Sequence, residues 1–298
     1  MNLEILEELR AELLSLGPLA FHNEDVWQHV CAANTWGSNA IEGNDISRAD
    51  VDTLILQDTS IGGHPVWEVL ETVQHARAFM ELFDRVGKPI TRRTCRELHD
   101  QVMRGVIKGA GRWRTVDLHI KGSLHVPPPA DEVVRSMEVW EKDYREGCKD
   151  TLPVFELASS MHHGFEAVHP FNGGNGRVGR LLLNLHFLKH DWPPVNIGLA
   201  DRARYFSSLE SAHSGDIGPL QEFLREAMGR SLLTVLDLVS QGEDRLRPMA
   251  EMESRGEGFL AYKEHMAEEG RLPALRVGNS WHSSRRALSL FNEHDGRT

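Results

Sequence analysis

The sequence predicts a mainly α-helical protein in which one short β-hairpin is set between helices. Three observations support this fold class. Apolar residues recur at helical spacing over most of the chain. Asn23, followed by two acidic residues, is typical of a helix start, where the helix dipole favours negative charge. Only residues 112–129 show the pattern of β-strands. With 40% hydrophobic and 26% charged residues, the 298-residue chain can build a globular core.

The helices are assigned from this apolar periodicity. Residues 154–167 are a clear case, because Val154, Ala158, Met161 and Phe165 recur at helical spacing and predict one buried face. The other predicted helical stretches are residues 2–16, from 23 onward, 48–58, 66–86, 91–104, 131–146 and about 200–239.

The β-hairpin is predicted between the helices at 91–104 and 131–146. Residues 113–120 read as a strand, Lys121-Gly122-Ser123 as a turn, and residues 124–126 as the returning strand before three prolines end it. A hairpin by itself is marginal in water. We therefore expect it to pack on the protein or to pair with a partner.

Composition bounds the domain organisation and the class of function. We expect an N-terminal helical segment over residues 1–60, a core over 61–240, and a C-terminal tail of unknown role over 241–298. A net charge of −11 without a long Lys/Arg run argues against wholesale nucleic-acid binding. Three widely spaced cysteines, an acidic N-terminus and the lack of a bilayer-length apolar stretch predict a soluble, cytoplasmic protein with no membrane association.

The segment His169–Arg180 carries the residues that indicate chemistry. A glycine-rich turn that opens a helix presents free backbone N–H groups at the positive end of the dipole, where phosphate binds. Arg177 and Arg180 can hold further phosphate oxygens, and His169 is placed to take a proton from a hydroxyl. A tight turn with solvated arginines would explain each residue alone. All of them within one short segment indicate phosphoryl or nucleotidyl transfer instead.

This segment resembles the signature of the Fic family, His-Pro-Phe-x-[Asp/Glu]-Gly-Asn-Gly-Arg-x-x-Arg. The matching residues are His169, Pro170, Phe171, Gly174, Asn175, Gly176, Arg177 and Arg180. The sequence around the hairpin, from Gly111 to Pro129, and Asp201-Arg202-x-x-Tyr205 also resemble the family. The resemblance covers residues 20–230 approximately. It implies a Fic-type helical domain in which the hairpin forms a flap.

The resemblance also implies an activity: an adenylyltransferase that binds ATP as its substrate and moves AMP to a Ser, Thr or Tyr hydroxyl of a protein (AMPylation). The resemblance leaves self-modification and the formation of a homodimer as open possibilities. His169 would be the general base, Asn175 would steady the α-phosphate, Arg177 would engage the β-phosphate and Arg180 would hold the γ-phosphate.

Other positions have supporting roles under the same resemblance. Gly174 and Gly176 would form the anion-binding loop, and Tyr205 would belong to the nucleotide site. The flap would align the target segment by strand addition, a mode of recognition that depends on backbone pairing. The flap residues expected to do so are His119, Ile120, Lys121 and Gly122.

One position departs from the family signature. Gly173 stands where the family has the Asp or Glu that binds Mg²⁺, and glycine offers no carboxylate to a hard cation. Mg²⁺ would then be held by phosphates and water, by a carboxylate from elsewhere, or not at all, so no metal ligand is assigned. Two alternatives follow: a transferase that uses another nucleotide or phosphoester donor, and a weakly catalytic Fic-fold binding or regulatory module.

A second segment, Ser38–Gly43, resembles the inhibitory motif of the family, [Ser/Thr]-x-x-x-Glu-[Gly/Asn]. A glutamate aimed at Arg180 would form a charge-assisted pair at the γ-phosphate position and leave ATP in an unproductive pose. The alternative is that Glu42 is an ordinary acid at a helix end, followed by a glycine cap. Because the main motif is present in the same chain, autoinhibition through Ser38 and Glu42 is the favoured interpretation.

Overall fold

The computed structural model describes residues 1–240, 245–254 and 256–295. It is 64% helical, and the described part holds thirteen α-helices and one three-stranded antiparallel sheet, which confirms the mainly α-helical fold class. None of the helices in those ranges combines the length and apolar character needed to cross a bilayer. Residues 241–244, where the expected tail begins, lie outside the described residues.

The helices follow the predicted order closely. Their bounds are α1 Leu3–Ser15, α2 Glu24–Ile41, α3 Arg48–Leu56, α4 Val66–Met80, α5 Arg92–Met103, α6 Val133–Lys149, α7 Val154–Val168, α8 Asn175–Lys189, α9 Arg202–His213, α10 Gly218–Val239, α11 Met249–Met252, α12 Glu257–Glu268 and α13 Arg285–Asp295. The helix predicted over 66–86 ends earlier, at Met80, and a short 3-10 turn, Phe83–Arg85, follows it.

The strands lie near the C-terminus. They are β1 Arg247–Pro248, β2 Leu275–Val277 and β3 Ser280–Ser283, in the order β1-β3-β2. Leu275 pairs with His282 between β2 and β3, and Arg247 pairs with Ser283 between β1 and β3.

The flap segment, residues 112–129, differs from the predicted hairpin because it has the turn but no strand ladder. The Ser123 N–H donates to the Ile120 carbonyl across 3.1 Å, and Gly122 adopts a left-handed φ of +83°. The backbone on either side bonds to side chains instead: the Leu124 N–H donates to Glu210 of α9. A lone hairpin gains little from pairing in water, so these bonds to the helical scaffold replace the ladder.

Contacts within the chain divide it into two units. The larger unit comprises Trp27–His190 and Asn196–Phe223 and contains α3 to α9 together with both sequence motifs. The smaller unit comprises Met1–Val26, Asp191–Val195 and the chain from Leu224 onward. Residues 245–295, expected as a tail, belong to this smaller unit, in which α13 packs on α1.

The core of the larger unit is built around α8. Its residues from Arg177 to Leu188 are buried on every side, as expected for a central helix that is not amphipathic. Helices α4, α5 and α7 pack against it. The buried face of α7 includes Met161 and Phe165. Because α8 is surrounded, its N-terminal turn is held firmly at the point where the glycine-rich loop enters.

Candidate active site

The loop that joins α7 to α8 reverses the chain through two left-handed residues. His169 ends α7 with φ +47° and ψ 60°, and its N–H donates to the Phe165 carbonyl across 3.0 Å. Gly174, with φ +77°, precedes α8. A Cβ at position 174 would also lie 2.7 Å from the sulfur of Met103, so both the backbone and the space require glycine there.

Asn175 closes this loop. Its Oδ1 accepts from the Phe171 N–H across 2.9 Å, and its Nδ2 donates to the Phe171 carbonyl across 2.8 Å. Both polar atoms of the amide are therefore engaged within the loop. The expected contact of Asn175 with an α-phosphate stays a prediction.

His99, which the sequence reasoning missed, ties the loop to α5. Its ring stacks on Phe171 with centroids 3.7 Å apart. The Gly111 N–H donates to Nδ1 across 2.8 Å, so the ring proton is on Nε2, which donates to the Gly173 carbonyl across 2.9 Å. Burial lowers the pKa of His99 to about 4, which keeps the ring neutral. A histidine on a buried helix face gives no sequence signal for such a role.

Arg114 joins the flap to the end of α7. Its Nε donates to the His169 carbonyl across 3.0 Å, and its Nη1 donates to the Val116 carbonyl across 3.1 Å. Nη2 donates to the carbonyl of Pro128. The guanidinium lies where the last carbonyls of α7 concentrate negative charge, which favours a cation. This single side chain therefore holds the turn that bears His169 and both ends of the flap segment.

His169 has the neutral charge that a proton acceptor requires. Burial lowers its pKa to about 4, so the ring is neutral near pH 7. Its Nδ1 is buried and lies 3.8 Å from Oε2 of Glu166, while the side chain keeps 20% of its area exposed. Because Nδ1 is buried, Nε2 is the nitrogen that a hydroxyl could reach, and it accepts a proton only in the tautomer that carries its hydrogen on Nδ1.

Arg177 is buried and paired with an acid. Its Nη1 lies 2.6 Å from Oε1 of Glu71 on α4, and Oε2 of Glu71 accepts from Asn44. Nothing in the sequence pattern points to Glu71. The predicted engagement of a β-phosphate by Arg177 stays a prediction, and it would have to compete with this ion pair.

Arg180 meets the second motif. Its Nε donates to Oγ of Ser38 across 2.9 Å, and its Nη2 donates to the Ser38 carbonyl across 2.9 Å and to Oε1 of Glu42 across 2.8 Å. The guanidinium also lies 5.9 Å from the ring centroid of Tyr205. The two motifs, far apart in sequence, thus form one contact.

Glu42 lies against the N-terminal turn of α8 as well as on Arg180. A Cβ at Gly176 would come within 2.2 Å of its Oε1. Burial alone would raise the pKa of the Glu42 carboxyl, but Arg180, Arg177 and His169 lower it below its ordinary value. The carboxylate is therefore ionised and occupies the position where the helix N-terminus favours an anion.

These groups face a cavity of about 710 Å³. Its lining includes Glu42, Glu166, His169, Gly176, Arg180, Tyr205 and the flap residues His119, Ile120, Lys121 and Gly122. Asn175 and Arg177 are buried instead, with 1% and 8% of their area exposed. The cavity therefore brings His169, Arg180, Glu42 and the flap residues together, in a volume suited to a small-molecule ligand.

The residues present do not fit a protein-held Mg²⁺ site at the departing position. Gly173 supplies only a backbone carbonyl, which already accepts from His99. Within the described ranges, no group of three His, Cys, Asp or Glu side chains could hold a metal ion. The φ of Gly173 is not left-handed, and nothing lies within 4 Å of a Cβ built there. A carboxylate side chain at position 173 would therefore have room and would not strain the backbone.

Residues 89–187 match the model of the Fic/DOC family. The family resemblance drawn from the motif is confirmed. A protein adenylyltransferase Fic from Nematostella vectensis is 27% identical over 261 residues, which is 84% of this chain and 60% of the relative. The protein adenylyltransferase Fic of Drosophila melanogaster is 27% identical over 242 residues, which is 80% of this chain and 48% of the relative. The chain spans about half of the length of the curated relatives it matches.

Solved structures show the same fold. A Fic domain containing signalling protein from Bacteroides thetaiotaomicron superimposes with a TM-score of 0.70 at 21% identity, covering 78% of this chain and 97% of that one. Fic-1 (residues 134–508) from C. elegans gives a TM-score of 0.65 at 24% identity, and the match covers 78% of this chain and 69% of that one.

Arg114→Lys should destabilise the protein. Lysine cannot supply donors to several separated carbonyls, and each buried acceptor left unpaired costs about 1–3 kcal/mol. The free energy of unfolding, measured by chemical denaturation, should fall by that amount. Arg112→Lys, at an exposed position two residues away, is the matched control and should change nothing. Equal unfolding curves for the two variants would show that Arg114 does not hold the flap.

Proposed function

We propose that this chain is a protein adenylyltransferase that moves AMP from ATP to a hydroxyl of a protein and is inhibited by its own Glu42. The name shared by the relatives supports the reaction class. The observation that carries the proposal is that neutral His169 and the N-terminal turn of α8, with Arg180, face one cavity. A proton acceptor beside an anion site is the arrangement that nucleotidyl transfer to a hydroxyl requires.

The residues of this chain would act as follows. The triphosphate lies along the N-terminal turn of α8, with its terminal phosphate on Arg180. The target hydroxyl gives its proton to Nε2 of His169 while its oxygen attacks the α-phosphorus. The bond from that phosphorus to the pyrophosphate oxygen breaks, and pyrophosphate leaves. In this arrangement Asn175 acts through the shape of the loop, and the flap residues 119–122 align the target chain by backbone pairing.

The inhibition follows from competition for one position. Glu42 occupies the Arg180 guanidinium and lies against Gly176, where a terminal phosphate would otherwise bind. Two anions cannot share that position without a large cost. The segment bearing Glu42 must therefore move before the triphosphate can bind in a productive pose.

A second candidate function is transfer from a different nucleotide or phosphoester donor. The observation that favours it is Gly173, which leaves the Fic signature without its carboxylate in a site that has room for one. Incubation with labelled ATP, CTP, GTP and UTP, with and without Mg²⁺, distinguishes the two candidates.

His169→Ala should abolish transfer, because loss of a general base lowers the rate by about 10²–10⁴. Nucleotide affinity and the thermal midpoint should stay close to wild type, since the proposed phosphate contacts are made by Arg180 and the N-terminal turn of α8 and not by the ring. The measurement is incorporation of labelled AMP into protein, alongside calorimetric titration with ATP. Undiminished incorporation by this variant would rule His169 out as the base.

Glu42→Gly should increase AMP incorporation, into a target or into the chain itself, by roughly 5- to 150-fold, the usual range for coupling between competing sites. Arg180→Ala in the same chain should cancel the increase, because the released position then lacks the group that receives the phosphate. Asp45→Gly, which changes an exposed acid three residues away, is the matched control. The inhibitory role is refuted if Glu42→Gly and Asp45→Gly incorporate alike in preparations that depend on His169.

Gly173→Asp should strengthen the dependence of AMP transfer on Mg²⁺ and raise its rate, because the new carboxylate enters open space without backbone strain. Gly173→Asn has nearly the same shape without the charge and serves as the control. The measurement is a Mg²⁺ titration of incorporation in both variants. Identical titrations for Asp and Asn would show that this carboxylate does not limit the reaction.

A further inference from the structure

Glu166 is an acid buried beside the base, three residues before it on α7. Its side chain keeps 8% of its area exposed, and its Oε2 lies 3.8 Å from Nδ1 of His169. Within the described residues, neither that Nδ1 nor Oε1 of Glu166 has a side-chain hydrogen-bond partner, and the backbone of Glu166 also lies near the ring, where it raises the pKa of His169. Two buried, unpaired polar atoms are costly, and a small side-chain movement would join the two groups in a hydrogen bond.

Glycines in α8 bring this carboxyl close to that of Glu42. A Cβ at Gly179 would overlap Oε1 of Glu166, as one at Gly176 would overlap Oε1 of Glu42. Positions three apart lie on one face of a helix, one turn from each other. The two carboxyls therefore lie side by side on the same face of α8, at the wall of the cavity that both of them line.

The charges around Glu166 set its ionisation. Burial raises its pKa to about 8, Arg180 opposes the rise, and Glu42 adds to it. Two neighbouring carboxyls resist simultaneous ionisation. With Glu42 ionised on Arg180, Glu166 is mainly protonated near neutral pH.

The remaining titratable neighbours of Glu166 are neutral. Burial lowers the pKa of His162 to about 3, and its Nε2 is bonded to the hydroxyl of Tyr205 across 2.7 Å. Burial also raises the pKa of Tyr205 above its ordinary value. His169 is neutral as well, so Arg180 and Glu42 are the charges that act on Glu166, whereas Glu42, Arg114 and His125 act on His169.

The protonation state of a carboxyl beside Nδ1 decides which nitrogen of His169 can act as a base. A protonated carboxyl donates to Nδ1, and the single proton of the neutral ring is then on Nε2, which cannot accept another. An ionised carboxyl accepts from Nδ1–H, leaves the lone pair on Nε2, and stabilises the imidazolium formed by proton transfer.

We propose that Glu166 is a positioning residue for His169. The ionised carboxylate of Glu166 selects the His169 tautomer that accepts the target proton, and Glu42 keeps Glu166 neutral in the resting state. This inference rests on the transfer reaction proposed above. In that reaction the proton of the target hydroxyl goes to Nε2, and the Nδ1 proton stays on the ring, hydrogen-bonded to Glu166.

The kinetic test compares Glu166→Gln with Glu156→Gln, an exposed glutamate on the same helix, each combined with Glu42→Gly. Glutamine has nearly the same shape but cannot ionise. We expect kcat to fall by at least about tenfold for Glu166→Gln, with an unchanged KM for ATP, because an orienting carboxylate acts on the base. The rise of kcat/KM with pH, measured from about pH 6 to about pH 9, should disappear. An unaltered pH profile in Glu166→Gln would overturn the proposal.

A second readout does not depend on transfer. Nitrogen-15 NMR of the His169 ring, assigned by difference from His169→Gln, reports which nitrogen carries the proton. The change of tautomer with pH should occur at lower pH in Glu42→Gly than in wild type and should be lost in Glu166→Gln. If no variant transfers AMP yet this pattern is seen, the proposed function fails while the link between Glu166 and His169 stands. The same tautomer at every pH in all variants refutes the link.

Discussion

The buried guanidinium of Arg180 is the constraint on which the site depends. A buried cation without partners is strongly destabilising, so the surrounding elements must supply acceptors. Ser38 on α2 supplies its hydroxyl and its carbonyl, Glu42 supplies a carboxylate, and the ring of Tyr205 on α9 lies beside them. These contacts determine how α2 approaches the N-terminal turn of α8. Because a phosphate satisfies the same cation as a carboxylate does, the resting contact and the proposed substrate contact exclude each other.

Burial of the site shifts the pKa values of the acids and the bases around Arg180 in opposite directions. It lowers the pKa of His169, which keeps a proton acceptor neutral, and it raises the pKa of Glu166. Glu42 is instead held ionised, because Arg180 offsets the cost of its burial. Gly176 and Gly179 permit this crowding, since a side chain at either position would overlap a carboxyl. The glycines of the motif therefore serve the approach of charged groups as well as the turn.

Sequence reasoning was most successful where the signal is local. The periodicity of α7 and the loop-to-helix character of the motif depend on neighbours along the chain, and the structure agrees with both. The flap shows where local pattern is insufficient. Its residues favour strands, yet its backbone groups form hydrogen bonds with the side chains of Arg114 and Glu210 instead of a strand ladder. His99 and Glu71 had no local signal at all, because their roles come from elements that meet only in the fold. Glu166 could have been found, since a residue three before His169 shares its helix face.

By itself, the sequence determined the helical class, the position of the glycine-rich loop and the pair of motifs, because spacing along a helix and the conformational demands of glycine are properties of the chain. Only the tertiary structure decided which groups meet and in which charge state. It placed Glu42 on Arg180, paired Arg177 with Glu71, and set two carboxyls side by side on α8. The physical reason is that pairing and pKa depend on distance and burial, and both arise only when distant segments pack together.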